Sequence, residues 1–207
     1  MKTIIYVDGF NFYYGALKKT PYKWLDLHAL FTRLLASHND IVAIKYFTAR
    51  VSPTPSDPDK HNHQDAYIRA LQQSSPKIHV YFGQFTTHNV KAKLVTQIGA
   101  TRYVDVIRTN EKGSDVNLAV HLLNDAWLGG YDCAVMVSGD SDLVEAIRLV
   151  KTFHARKVIG LFASKRGTSK EMLKEVDFTK HITAAALAAS QFPDLIPGTN
   201  IKKPSDW

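Results

Sequence analysis

Ile4-Ile5-Tyr6-Val7-Asp8-Gly9 opens the chain with an unbroken apolar run that stops on an acid and a glycine. A strand with one face in water alternates apolar and polar residues, whereas an unbroken run suits a strand buried on both faces. Ala134-Val135-Met136-Val137, ending in Ser138-Gly139-Asp140-Ser141-Asp142, repeats the design. Val158 to Phe162 reads as a third such strand, and Ile41 to Ala49 and Ile78 to Phe82 as two more. Helical patterns fall between them. Residues 11–18 form a short one, and Leu27, Leu30, Phe31, Leu34 and Leu35 repeat behind a capping Asp26. Ala66 to Gln73 gives another, and Val116, Ala119, Val120, Leu122 and Leu123 run to a Gly129-Gly130 stop. Leu143, Ile147 and Val150 mark the next, and residues 169–176 the last before the alanine-rich 184–189. Such alternation predicts an α/β fold with a central, mainly parallel sheet flanked by helices.

Two stretches differ in texture. Residues 83–108 carry Lys91, Lys93, Arg102 and Arg108 around a Gly99 break, which predicts a pair of extended segments or a basic excursion from the sheet. From Phe192 onward, Pro193, Pro197 and Pro204 predict an extended tail. The expected organisation is one domain over residues 1–180, followed by a helix and tail over 181–207. The basic Lys202-Lys203 pair and Trp207 have two candidate docks, the body or a second subunit.

Composition narrows the classes. The chain has 207 residues, 45% of them hydrophobic, which suffices for a core without disulfides. Its one cysteine, Cys133, excludes an internal disulfide and fits a reducing compartment. No apolar run reaches the roughly 18 residues of a membrane span, and the start does not read as a signal peptide, so the expectation is a soluble, cytoplasmic protein without a membrane partner. Net charge is +7, and nearly all of it lies late: residues 1–147 hold 15 basic against 14 acidic residues, and residues 148–207 hold 11 against 5. A basic balance suits polyanions, though it also serves solubility.

Ligands of open α/β sheets bind beyond the carboxyl ends of the strands. Asp8, Asp140 and Asp142 follow two of those ends, and Asp115 opens the helix after an extended stretch at 103–108. If the ends lie side by side, four carboxylates meet at one rim. Each has a plain structural role available: a turn at Asp8, a cap at Asp140 or Asp142, a helix-dipole contact at Asp115. Together they repel one another unless a cation is present, and hard Mg²⁺ or Mn²⁺ prefers carboxylate and water oxygens. A cation so held suits phosphoryl chemistry, because it polarises a phosphate oxygen and lowers the pKa of water.

Tyr6-Val7-Asp8-Gly9-Phe10-Asn11-Phe12-Tyr13, Lys112-Gly113-Ser114-Asp115-Val116-Asn117-Leu118-Ala119 and Val137-Ser138-Gly139-Asp140-Ser141-Asp142-Leu143 resemble, in order and spacing, three signatures of NYN domain proteins of the PIN-like nuclease group. The resemblance covers roughly residues 1–178. It implies a PIN-like three-layer sandwich and metal-dependent ribonuclease activity, with RNA as partner and DNA left open. On it, Asp8, Asp115, Asp140 and Asp142 match the acidic cluster, and Asn11 and Ser138 match supporting polar positions. Asp8 and Asp140 are then the expected direct ligands of one or two ions, with Asp115 and Asp142 holding a second ion or orienting water.

Lys91, Lys93, Arg102, Arg108 and Lys112 are expected to lead toward the acidic rim, and Lys165 and Arg166 to follow the last strand to it, where they neutralise flanking phosphates. Phe12, Tyr13 and Tyr14 are candidates for base stacking or for core. The rival reading is a non-cleaving nucleic-acid-binding or regulatory module of the same fold, and a homo-oligomer is left open. Other classes fit less well. A haloacid-dehalogenase-like phosphatase needs an acid two residues after Asp8, where Phe10 stands, and neither a P-loop nor a Gly-x-Gly-x-x-Gly motif occurs. His61 and His63, in an expected polar loop, and His121, in a helix, lack the spacing of a zinc site.

Overall fold

The computed structural model describes residues 1–163 and 168–207; Lys165 and Arg166 lie outside the described residues. Along the chain, β1 (Lys2–Asp8) leads into α1 (Gly9–Phe12), a π turn (Tyr13–Leu17), α2 (Leu27–Leu34), β2 (Asp40–Thr48), α3 (Lys60–Ser74) and β3 (Ile78–Phe82). A hairpin of β4 (Gln84–Ile98) and β5 (Thr101–Lys112) precedes α4 (Ser114–Trp127) and β6 (Cys133–Val137). A short turn at Ser141–Leu143 then enters α5 (Val144–Phe153), followed by β7 (Val158–Ala163), α6 (Lys170–Glu175), β8 (Phe178–His181) and α7 (Ala184–Ala188). Six strands form one sheet in the order β3-β2-β1-β6-β7-β8. Every neighbouring pair in it is parallel. The α/β reading with a parallel central sheet is thus what the chain adopts.

The apolar run of β1 explains why the sheet has a layer on each side. Ile5 and Val7 point to a core completed by α2, α3 and α7, and Ile4 and Tyr6 to a second core completed by α4, α5 and α6. Burying each such side chain contributes roughly 1.5–3 kcal/mol before chain entropy is set against it. Cys133, in the neighbouring β6, is buried too, and burial pushes its thiol pKa up to about 11. Asp26 caps α2 by accepting from the Ala29 amide at 3.0 Å, as its position predicted.

Between β1 and β6 the crossovers part: the chain leaving β1 packs on one face, and the chain leaving β6 on the other. Such a switch point opens a crevice at the carboxyl ends of the two strands.

β4 and β5 pair with each other as an antiparallel ribbon standing apart from the central sheet, so the end of β5 does not join that sheet's strand ends. Three features differ from the sequence expectation. β8 supplies an unforeseen sixth strand, because Phe178-Thr179-Lys180-His181 is a short edge strand with one apolar residue and no alternation to read. α3 begins at Lys60, so His61 and His63 lie in its first turn rather than in a loop. The proline-rich end is irregular but packed, with Phe192, Ile196 and Ile201 buried in the core of α2 and α3. Trp207 docks onto the body, its ring 6.3 Å from Trp24 and 6.0 Å from Tyr67. Among the described residues no helix is long and apolar enough to cross a membrane.

Gly83 joins β3 to the ribbon at a point with no room for a side chain. A Cβ there would sit 2.5 Å from the Lys112 carbonyl oxygen and 3.0 Å from the Ser114 amide. Backbone atoms cannot swing aside, so Gly83→Ala should lower stability by about 1–3 kcal/mol, the usual cost of overpacking. Urea denaturation of the variant against wild type measures it.

Candidate functional site

Asp8 ends β1 with its side chain almost wholly buried, at 5% exposure. Its Oδ1 accepts from the Asn11 amide at 3.0 Å, which caps α1, and its Oδ2 accepts from the Ser138 hydroxyl at 2.9 Å. Asn11 returns the contact, its Oδ1 accepting from the Gly139 amide at 2.9 Å. The Ser138 hydroxyl also accepts from the Asp140 amide at 3.2 Å, so one oxygen links the two strand ends and the first residue of the next turn. Asp140 in turn accepts from the Asp142 amide at 3.0 Å, capping the Ser141–Leu143 turn. The plain capping roles of Asp8 and Asp140 are therefore real. They leave carboxylate lone pairs over, since each carboxylate offers about four acceptor positions.

Asp115 arrives from the ribbon. Gly113 turns the chain out of β5 with φ of +96°, a conformation that side chains disfavour, and α4 starts at once. Glu111 accepts from both the amide and the hydroxyl of Ser114, at 3.1 and 2.8 Å, and ties the ribbon base to the helix start. Asp8, Glu111, Asp115 and Asp140 then line one open cleft of about 420 Å³, with Phe10, Asn11, Tyr14, Gly15 and Ser114. Asp142 is exposed and does not line it. Glu111 belongs to no sequence signature, and no spacing in the sequence marks its contact with Ser114.

The charges feel one another. Burial raises the Asp115 pKa to about 6, and Asp8, Asp140, Glu111 and Asp142 each push it in the same direction. Asp8 is raised mainly by burial, against the lowering effect of its bonds to Asn11 and Ser138, with Asp140 and Glu111 adding repulsion. An all-oxygen donor set with unrelieved negative charge fits a hard divalent cation. Among the described residues no three His, Cys, Asp or Glu side chains are already gathered closely enough to hold a metal.

The basic residues are less convergent than expected. Lys112 pairs with Gln84 at the ribbon base, whereas Arg108 pairs with His88, Lys91 with Asp105 and Lys93 with Tyr103. At about 3.4 Å per residue, Arg108 stands about 14 Å and Lys93 about 31 Å along the ribbon from that base. Lys91 and Lys93 share one ribbon face and Arg108 and Lys112 the other, because alternate residues point to opposite sides. Arg102 lies beyond them near the tip, its Nε donating to Gln97 at 3.3 Å. The aromatics divide as well: Phe12 is core, Tyr13 half-buried, and Tyr14 62% exposed at the cleft.

The NYN domain model matches residues 2–183. The chain belongs to the NYN domain family. NYN domains are a family of the PIN-like nuclease group. A curated relative, the 6-hydroxy-3-succinoylpyridine 3-monooxygenase of Pseudomonas putida, is 32% identical over an alignment spanning 100% of this chain and 75% of the relative. A crystal structure of a Vibrio parahaemolyticus protein of unknown function superposes with a TM-score of 0.59 over 92% of this chain and 96% of that one. At 17% identity, that likeness speaks for the shared fold.

The raised pKa of Asp115 gives a pH prediction for cation-free protein. Its folded value of about 6 lies above the ordinary 3.8, so ionisation opposes folding. The group's contribution is fully present below the lower value and is lost as pH climbs through the higher one. Between these limits, wild type in EDTA should lose thermal stability relative to Asp115→Asn, with the gap constant above about pH 7. A midpoint difference that does not change with pH would show that Asp115 does not share the field of its neighbours.

Proposed function

We propose that this NYN domain is a Mg²⁺- or Mn²⁺-dependent nuclease that hydrolyses phosphodiester bonds, with unstructured RNA as its substrate class. One observation carries the reading: acids from three separate chain segments line a single cleft at the carboxyl ends of the parallel strands, where burial, with their charges adding to it, raises the pKa of Asp115. Asp8, Asp115 and Asp140, with Glu111, would hold the cation, and Asp142 adds charge from outside the cleft. When bound, the ion supplies Lewis-acid polarisation of the phosphate and a lowered pKa for attacking water. The chain's own residues do the positioning. Ser138 and Asn11 fix Asp8 and the Gly139 backbone against each other, so the carboxylates stay put when the substrate arrives. Glu111 couples the ribbon to the cleft through Ser114, which ties strand capture to the cutting position. Lys112 and the ribbon cations neutralise phosphates along the bound strand.

Asp140→Asn is the decisive variant, because asparagine keeps the oxygen that caps the Asp142 amide and removes only the charge. Cleavage of a fluorescent single-stranded RNA in Mn²⁺ should fall by about 100-fold or more while binding in EDTA changes less than about twofold. Binding without metal-dependent cleavage by wild type would favour a non-cleaving module instead. The Lys91→Ala/Lys93→Ala variant should bind RNA several-fold more weakly at fixed salt, with a salt slope shallower by about 1.4, or about 0.7 per lost phosphate contact. Its rate at saturating RNA should be unchanged, since neither lysine is near the acids.

The identity with the monooxygenase favours a second reading, oxygen insertion into a heteroaromatic acid. A monooxygenase step puts one atom of O₂ into the product and reduces the other to water with two electrons and two protons taken from a donor. Oxygen uptake with 6-hydroxy-3-succinoylpyridine and a nicotinamide or flavin donor reads that activity separately from RNA cleavage.

A further inference from the structure

A second cavity, of about 410 Å³, lies beside the acidic cleft and shares Phe10 and Tyr14 with it. Its character is opposite. Aromatic rings supply its walls: Tyr13, Tyr46, Tyr67 and Trp207 join the two shared residues. Lys18, Lys23 and Lys60 supply its cations, against Asp57 and Asp206. Asp206 is already engaged by His63 at 3.2 Å. Among the described residues none of the three lysines is paired with a carboxylate. Lys18 instead lies 4.6 Å from the centre of the Tyr14 ring, and Lys23 5.8 Å from that of Trp207. Burial holds the Tyr46 and Tyr67 hydroxyls well above their ordinary pKa, so both rings are neutral walls at any working pH.

These features select a ligand. The volume is at the small end of ligand sites and suits one ring system with a short substituent. Flat walls reward a flat ring, by offset or edge-on contacts that add to the buried area. Unpaired ammonium groups over aromatic faces reward an anion, which gains both the charge and an already oriented partner. We propose that this cavity binds an aromatic ring carrying an anionic group. Two sources share that chemistry: a nucleotide unit, with its base between the rings and its phosphate at the lysines, or a free aromatic carboxylate. The nucleotide source rests on the nuclease reading, for it would seat the unit next to the cut bond through the wall formed by Phe10 and Tyr14. The cavity's own walls carry the rest.

The test uses the whole protein in EDTA, so cleavage cannot occur and its failure cannot be confused with failure here. Adenosine 5′-monophosphate and 4-hydroxybenzoate are titrated by tryptophan fluorescence, since Trp207 lines the cavity and Trp24 lies against it. Adenosine and inorganic phosphate serve as controls for ring and charge alone. Saturable binding of the nucleotide only, of the carboxylate only, or of both supports the proposal and names the source, provided each control binds at least about tenfold more weakly. Val51→Trp, which fills the cavity without lining the acidic cleft, and Lys18→Gln should each weaken that binding by about tenfold or more. Val51→Trp is read only with an unchanged melting profile, and Lys18→Gln, on an exposed side chain, stands as the second arm. No saturable binding of either ligand, or binding that both variants leave intact, overturns the proposal.

Discussion

The hydrogen bond from Ser138 to Asp8 is the constraint on which the site depends. It crosses between the ends of two central strands that are far apart in sequence, and it ends on a carboxylate that is nearly buried. A buried acid keeps its charge only with such donors, and Asp8 has two of them, one from its own helix start and one from β6. Remove the parallel pairing of β1 with β6 and the donor leaves. Remove the carboxylate and α1 loses its cap while the Asp140 loop loses its anchor. Structure and chemistry draw on the same few atoms, which is why the capping roles and the proposed ligand role of these aspartates do not compete.

Charge is sorted in space with similar economy. The acids sit at the switch point of the sheet, where the fold opens a crevice. The ribbon cations reach outward from it, and a cavity of rings and ammonium groups lies against it. Repulsion among carboxylates raises the free energy of the cation-free state locally, and the surrounding cores of two apolar layers offset that cost. The unfavourable field among these carboxylates exists whether or not a cation is present.

Much of this was legible in the chain. Ile4 to Val7 and Ala134 to Val137 read as doubly buried strands because they are short unbroken apolar runs that end at Asp-Gly and Ser-Gly-Asp. Asp8, Asp140 and Asp142 could be named as candidates because they follow such strand ends, and Asp115 because it opens a helix after an extended stretch. Other features were hidden for identifiable reasons. β8 is an edge strand, so only one of its residues had to be apolar. Glu111 reaches the cleft through a ribbon whose docking depends on a gap at Gly83 and a turn at Gly113, neither of which any periodicity reports. The placement of Lys91, Lys93 and Arg108 depends on ribbon direction, which local sequence does not encode. Asp142 belongs to the same signature as Asp140, yet the turn that Asp140 caps carries it out of the cleft lining.

Cys133 has a practical consequence. Its sulfur is sealed inside the central sheet and resists ionisation, and the sequence holds no other thiol to compete with it. Alkylating reagents attack thiolate rather than thiol, so modification has to wait for the sheet to separate. Native protein thus contains a single internal timer for global opening, and the pace of its labelling, with and without ions or nucleotides, would report how firmly each one holds the molecule shut.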